Sequence, residues 1–282
     1  MKKLDESCIS DYGKPFSELT EEELLDIEFS VEDYYAMHIE PKLSSLMNNI
    51  IKNTYDGNKW IIDNCYFISE SDKHELAWYL SKEFIRTKHH RDQRINMIQE
   101  TYKSMIPIIA QFEGLNIKKE DINVSFSKEE ERVIHASEIF NEETANLFAG
   151  VFYNHQWVLF ENFTNEDFCC SDNLFILNPT ENLPKIYGYG LATYGITIFY
   201  PISSKLILVM MDSTKYSKHQ RYKDRKIIPL YDLTFVEKIN YILISGSYKY
   251  SFFSNEKTII KYKNMCENDD IIREPASLGK VD

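Results

Sequence analysis

The chain has 282 residues and a formal net charge of −12, which results from 44 acidic and 32 basic side chains. Hydrophobic residues make up 43% of the sequence and aromatic residues 14%, so there is enough apolar surface for a core and a wholly disordered chain is excluded. The negative charge repels phosphate groups, and we therefore expect neither nucleic acid nor a membrane as a partner.

The distribution of apolar residues and cysteines indicates a cytoplasmic location. No run of about 18 apolar residues could span a bilayer, and the opening MKKLDESCISDYGK lacks the apolar stretch of a secretory signal. The five cysteines follow neither a zinc spacing nor a disulfide framework. We expect free thiols, and neither a metal nor another cofactor.

The first half of the chain is predicted to be helical. Residues 1–19 have little periodicity and are predicted to be an arm. Capping boxes at Thr20–Glu23 and Ser127–Glu130 predict two helix starts, because the hydroxyl and carboxylate of such a box bind reciprocal backbone N–H groups. Between them, apolar residues spaced by three and four predict helices after Ser30, after Ser71 and over about 91–112.

The period changes after residue 152. Short β-rich runs bounded by turn residues predict a sheet, and these runs are Gln156–Phe160, Phe168–Cys170, Leu174–Leu177, Ile196–Pro201 and Leu206–Met211. Residues 230–247 return to helical spacing, and Tyr248–Phe253 alternate as in a strand. We predict an α+β fold in which a helical region, 20–152, packs on a mostly antiparallel sheet region with a late helix, 153–262. We expect the two regions to form one composite domain and residues 263–282 to form a flexible tail.

One cluster of basic residues is a candidate for anion binding on a helix. Lys82, Arg86, His90 and Arg94 are four residues apart, so a helix unbroken through Thr87 would place them on one face. We favour a solvated face paired with nearby acids. Arg86 is the exception, because it follows Phe84 and Ile85, and a partly buried arginine needs an acidic partner.

A second basic cluster lies in the segment Lys215–Lys226, which has six Lys or Arg residues, one Asp and two interleaved tyrosines. Basic and aromatic residues together are typical of single-stranded nucleic-acid binding. On an acidic protein we favour a solvated or partner-docking loop. Its candidate binding residues are Lys218, Arg221 and Lys223.

The segment Cys169–Asn173 has side chains that could act in catalysis. A cysteine nucleophile with His135 or His155 as its base is one interpretation. We favour one buried and one outward thiol, and a turn at Asp172 and Asn173 that binds its own backbone.

Several motifs, taken in order, resemble a widespread microbial family of unknown function whose members typically open with His-Tyr-Val-Pro. CCSDNLFIL is similar to its Thr-Ser-Asp-Asn-Pro-Val strand turn, and IFYPISSKLILVM to its Phe-Pro-Leu-Ser-Pro strand pair. FIRTKHHR, a helix with Glu40, a strand with Trp157 and a late helix with Asn240 complete the resemblance, which covers roughly residues 30–255. The opening motif is absent here, and Leu174 stands where the family has Pro.

Carried over residue by residue, this resemblance implies roles for Glu40, Arg86, Ser171 and Asp172, with Trp157 and Asn240 as structural anchors. It implies no reaction. Glu40, Arg86, Ser171 and Asp172 are accordingly the candidates for a catalytic site.

Two functions fit these observations. The first is an acidic cytoplasmic interaction protein that binds another protein or a second copy of itself, for example a phage or mobile-element factor acting on host or defence proteins. Its abundant tyrosines, which are common interface anchors, and the lack of a complete catalytic motif favour it. The second is a hydrolase-like or nucleotide-handling enzyme with a site between the helical half and the sheet. It would use Asp172 and Glu40 as acid or base and Arg86 as an anion clamp, and it requires these groups to converge.

Overall fold

The computed structural model describes residues 20, 29–55, 66–179, 190–219 and 222–268. Within these ranges the α+β fold is confirmed, with helices throughout and a mixed, mostly antiparallel five-stranded sheet. The predicted arm, most of the first capping box and most of the predicted tail lie outside the described residues. No helix in the described ranges has both the length and the hydropathy needed to cross a membrane.

The chain forms two compact units, and each combines two separate segments. The first contains Met1–Glu40 and Ile85–Ala145, and the second contains Pro41–Phe84 and Asn146–Asp282. The predicted division at residue 152 therefore coincides with no boundary between these units.

The helices follow the capping and periodicity signals of the sequence. Their bounds are α1 Glu40–Tyr55, α2 Glu70–Arg86, α3 Lys88–Phe112, α4 Lys128–Phe140, α5 Glu142–Asn154, α6 Ser213–Tyr216, α7 Leu233–Ser245 and α8 Glu256–Glu267. A π-helical turn, Tyr35–Ile39, precedes α1. The predicted capping box at Ser127 and Glu130 is confirmed at the start of α4. Helix α8 extends past Lys263, where the predicted tail begins.

The strands form a five-stranded sheet and a separate two-stranded ribbon. Their bounds are β1 Gln156–Asn162, β2 Cys170–Ser171, β3 Ile176–Pro179, β4 Ile196–Pro201, β5 Leu206–Met211, β6 Lys226–Leu230 and β7 Ser251–Phe252. The large sheet has the order β3-β4-β5-β1-β6, in which β1 pairs antiparallel with β5 and parallel with β6. The ribbon pairs β2 with β7. Strand β6 was not predicted, and it begins at the last residue of the basic segment.

Strand β1 is buried along its whole length and separates the two cores of the second unit. Because side chains alternate across a strand, Trp157 and Leu159 face one core and Val158 and Phe160 face the other. The first core is completed by apolar side chains of α1, α2 and α5, and the second by side chains of α7 and α8. The sheet of this unit therefore has helices on both faces.

Candidate functional site

The Asp172 carboxylate is bound by three consecutive backbone amides. The N–H of Tyr248 donates to Oδ1 at 2.9 Å, and the N–H groups of Lys249 and Tyr250 donate to Oδ2 at 2.7 and 2.9 Å. The Asp172 N–H donates in turn to the Tyr250 carbonyl at 3.1 Å. The prediction that Asp172 binds its own turn is thus wrong, because its carboxylate joins β2 to the segment before β7. Hydrogen bonds to an ionised acceptor are among the stronger ones, so this role stabilises the ribbon without a substrate.

Ser171 forms the local turn that was expected of its neighbour. Its hydroxyl donates to the Asn173 carbonyl at 2.8 Å and accepts from the Asn173 N–H at 3.2 Å. The side-chain amide of Asn173 donates to the Gly246 carbonyl, directly after α7, at 2.9 Å. Both catalytic candidates of this segment are therefore engaged with the backbone.

The two thiols of the segment differ in exposure as predicted, with Cys169 buried and Cys170 partly exposed. Burial raises the pKa of both thiols. A cysteine nucleophile needs a lowered pKa, because the thiolate is the reactive form. The environment of these thiols therefore argues against the nucleophile interpretation.

Asn240 is completely buried on α7 and binds the segment that precedes β2. Its Oδ1 accepts from the Cys169 N–H at 3.0 Å, and its Nδ2 donates to the Asp167 carbonyl at 2.9 Å and to Glu166 Oε1 at 3.3 Å. Glu166 also binds the Tyr262 hydroxyl and the Lys261 ammonium of α8. This network fixes residues 166–169 to two helices.

Trp157, the other expected anchor, is completely buried in the first core of the second unit. Its indole N–H donates to the Phe152 carbonyl at 2.8 Å. A buried tryptophan whose polar atom is paired needs no ligand to explain it.

Arg86 ends α2 and has two acidic partners in the first unit. Its guanidinium lies 3.2 Å from Glu32 Oε2 and 3.2 Å from Glu40 Oε1, and its carbon is 4.6 Å from the centre of the Tyr35 ring. The predicted need for an acidic partner is confirmed. One guanidinium between two carboxylates has no surplus positive charge, which argues against an anion clamp. Arg86 and Glu40 belong to the first unit, whereas Asp172 belongs to the second.

Two observations count against the cationic face that a helix unbroken through Thr87 would form around Arg86. First, Thr87 has an extended backbone, and its hydroxyl accepts from the His90 N–H at 3.2 Å, so it caps α3 and separates that helix from α2. Second, Lys82 and His90 are buried, and burial lowers the His90 pKa to about 4. Arg94 lies 2.7 Å from Glu138. The four residues therefore offer no common positive surface.

The basic segment before β6 ends in a structural corner. Asp224 is the single acid of this segment. Its carboxylate accepts a hydrogen bond from the backbone N–H of Trp157 at 2.7 Å and one from the Lys73 ammonium at 3.0 Å. The next residue, Arg225, has a φ of 61°, which non-glycine residues rarely adopt, and its N–H donates to the Trp157 carbonyl at 2.6 Å. Lys218 and Lys223 are exposed, and Arg221 lies outside the described residues.

Lys73 is a buried cation that the sequence analysis missed. Its ammonium donates to both Asp224 oxygens at 3.0 Å and to the His155 carbonyl at 2.9 Å. Burial lowers the Lys73 pKa, and the Asp224 carboxylate opposes that shift. In the sequence, the signal for this ion pair was Asp224, the single acidic residue of the basic segment. This pair joins α2 to the start of β1 and β6.

The largest feature that the sequence analysis missed is an apolar face on α3. Six of its side chains are each between 49% and 88% exposed, and these are Met97, Tyr102, Met105, Ile108, Ile109 and Phe112. With a rotation of about 100° per residue, these six side chains lie within an arc of about 140° around the helix axis. Between residues 97 and 112, the same arc also contains Thr101 and the half-buried Ile98. We call these eight residues the α3 stripe. It contains no charged side chain, and Leu115, 57% exposed, follows it in the chain.

The spacing along α3 is also specific. Ile98, Tyr102, Met105, Ile109 and Phe112 are spaced by four, three, four and three residues, which is the heptad pattern of a seam that packs against another helix. This spacing was visible in the sequence. The charged residues Glu100 and Lys103 lie outside the arc and bind each other at 2.8 Å.

The described residues contain no group of three or more His, Cys, Asp or Glu side chains arranged to hold a metal ion. No curated protein and no solved structure matches the chain. A family model described as "Protein of unknown function (DUF4238)" matches residues 18–257. Because that match covers well over half of the sequence, the chain belongs to this family of unknown function.

Proposed function

We propose that this protein acts by binding another protein chain through the α3 stripe. The observation that carries the proposal is a run of large, half-exposed apolar side chains over four helical turns with no charge among them. Monomeric proteins rarely expose apolar patches larger than a few hundred Å², and larger patches commonly mark interaction sites. The six exposed apolar side chains of the stripe, together with Leu115, expose roughly 700 Å² at about 100 Å² each.

The heptad spacing supports a helical partner. A seam of period 3.5 packs along its whole length when the opposing surface is also a helix, since its side chains insert between those of the partner. A flat partner would contact fewer of these side chains. The proposed activity is therefore helix-to-helix docking.

The alternative of a hydrolase-like or nucleotide-handling enzyme has less support. Asp172 and Ser171 bind the backbone of the β2–β7 ribbon, and Arg86 is balanced by two carboxylates. A catalytic acid, base or anion clamp needs groups that are available to a substrate. We place the binding activity in the cytoplasm, because Cys169, Cys170 and Cys266 are free thiols and free thiols suit a reducing compartment.

Site-specific photo-crosslinking in the producing cell tests this proposal. A p-benzoylphenylalanine at position 105, within the α3 stripe, is expected to give a discrete adduct with a second polypeptide. The same group at position 96 is the matched control, because Asn96 is exposed on the opposite side of α3. Equal yields at the two positions, or no adduct at position 105, would contradict docking through the stripe.

A further inference from the structure

We infer that the occupant of the α3 stripe is α3 of a second copy of this chain, packed antiparallel about a twofold axis near Met105. This inference rests on the proposed docking function and names its partner. Three properties of the stripe support it: its area, its lack of charge and the order of its side chains.

The area fits a symmetric dimer. The six exposed apolar side chains of the stripe give about 600 Å² per copy and a buried total of roughly 1,200 Å², which is at the lower end of the range of about 1,200–2,000 Å² for stable protein interfaces. Twofold dimers are the commonest oligomers, and in them the same patch serves both copies. The stripe is large enough to form most of such an interface alone.

The charges allow a second copy as the partner. The whole chain has a net charge of −12, so two copies repel each other, and this repulsion is smallest where the contact surface itself carries no charge. The α3 stripe is uncharged. Beside it, Glu100 is paired with Lys103 at 2.8 Å and with Lys119 at 3.1 Å, so its charge is compensated within each copy.

The order of the side chains favours the antiparallel direction. A twofold axis at Met105 places Ile98 opposite Phe112 and Tyr102 opposite Ile108, so each aromatic side chain of the stripe faces an aliphatic one. The same axis places Ile109 opposite Thr101. A parallel pair would place Phe112 against Phe112 and Ile98 against Ile98, which gives layers of unequal width. Pro107 lies about 80° beyond the nearer edge of the arc, so its missing N–H and its ring do not interrupt the seam.

Light scattering and sedimentation of the full chain give the first test. The expected species is twice the 33.3 kDa mass of one chain. Met105→Glu should raise the dimer dissociation constant more than about 100-fold, because it places two carboxylates together in an apolar contact. Asn96→Glu adds the same charge outside the stripe and should leave the dimer unchanged. A monomeric wild-type chain, or a dimer indifferent to Met105→Glu, would overturn the inference.

Disulfide trapping gives the second test and reports the direction of packing. Differently tagged Ile98→Cys and Phe112→Cys chains are mixed and oxidised, with wild type measuring the background from native thiols. The antiparallel pair brings these two positions together, so mixed dimers should exceed dimers of either variant with itself. An excess of dimers that contain only the Ile98→Cys variant, or only the Phe112→Cys variant, would overturn the antiparallel arrangement.

The two proposals fail in different ways. A monomer that photo-crosslinks from position 105 to a different polypeptide would refute the second copy and leave helix docking in place. A monomer with no adduct from position 105 would refute both. Thermal melts of Met105→Glu and Asn96→Glu, monitored by circular dichroism, should coincide with each other at concentrations where both are monomeric. If Met105→Glu melts lower, Ile109→Glu takes its place in the same comparison.

Discussion

Lys73 and Asp224 form an ion pair across 151 residues of sequence, with the ammonium 3.0 Å from each carboxylate oxygen. The Lys73 side chain is 5% exposed and that of Asp224 is 37% exposed. Because the two partners differ in burial, removing one has a different effect from removing the other. Without Asp224, the Lys73 ammonium would be a buried charge with no counterion. Without Lys73, the Asp224 carboxylate would still be in contact with solvent and would keep its hydrogen bond from the backbone N–H of Trp157.

Substitution of this pair should therefore be asymmetric. Asp224→Ala should lower the free energy of unfolding by about 3 kcal/mol, because it leaves a buried charge without its counterion. Lys73→Met should cost about 1–2 kcal/mol, since the apolar replacement fills the same volume. Urea unfolding, followed by fluorescence, measures both values. Equal losses, or a larger loss for Lys73→Met, would show that the lysine does not depend on Asp224.

The Asp172 carboxylate gives a second prediction, because three amides depend on it. Asp172→Asn replaces one acceptor oxygen with an amide donor, which should weaken the β2–β7 ribbon by about 1–2 kcal/mol. Hydrogen exchange should accelerate at Tyr248, Lys249 and Tyr250 more than elsewhere. Asp121→Asn, at an exposed acid in the first unit, is the control. Unchanged exchange at the three amides would mean that the carboxylate does not hold them.

His90 predicts an acid-sensitive first unit. Burial is the largest cause that lowers its pKa, and nearby His135, His89 and Arg94 add to the effect, giving a value of about 4. Between pH 6.5 and 4 the unfolded chain binds a proton that the folded chain does not. Stability contributed by neutral His90 is therefore complete above pH 6.5 and falls by about 3 kcal/mol as the pH decreases to 4.

The measurement for this prediction is a set of urea unfolding curves between pH 7 and 4. His90→Gln removes the titrating group and should reduce the loss of stability over that range, whereas His219→Gln, at an exposed histidine, should follow the wild type. If His90→Gln and wild type lose stability in parallel, then protonation of His90 does not contribute.

Local signals predicted much of this fold correctly. The bounds of β4 and β5 follow from short apolar runs between turn residues, and the capping box at Ser127 placed the start of α4. Helix α3 begins at Lys88, three residues before the predicted start at about residue 91, because the Thr87 hydroxyl caps it and the spacing of apolar residues does not record a cap. Strand β6 was not predicted because Pro229 and the preceding basic residues are not typical of a strand. It is an edge strand, and its pairing partner β1 lies far earlier in the chain.

The interactions that assign roles to side chains are nonlocal, and this explains why the candidate site was harder to predict than the fold. The amides that bind Asp172 lie 76 to 78 residues after it. No sequence spacing records such a contact. The α3 stripe is different, because its heptad spacing was available in the sequence, and only its exposure required the structure.

Glu161 provides the last prediction, with a pH dependence opposite in sign to that of His90. It lies on β1 on the same side as Trp157, is 6% exposed, and its Oε2 has no hydrogen-bond partner among the described residues. Burial raises the Glu161 pKa, so at a pH between the unfolded and the folded pKa the folded chain holds a proton that the unfolded chain has lost. The contribution of Glu161 to stability should therefore fall as the pH rises above the unfolded pKa of this group. Glu161→Gln resembles the protonated acid and should stabilise the protein by about 1 kcal/mol at pH 7 and have little effect at pH 4.

Urea unfolding at the two pH values measures the difference, with Glu113→Gln, at an exposed acid, as the control. A destabilising effect of Glu161→Gln at pH 7 would show that the ionised carboxylate is stabilised in the fold.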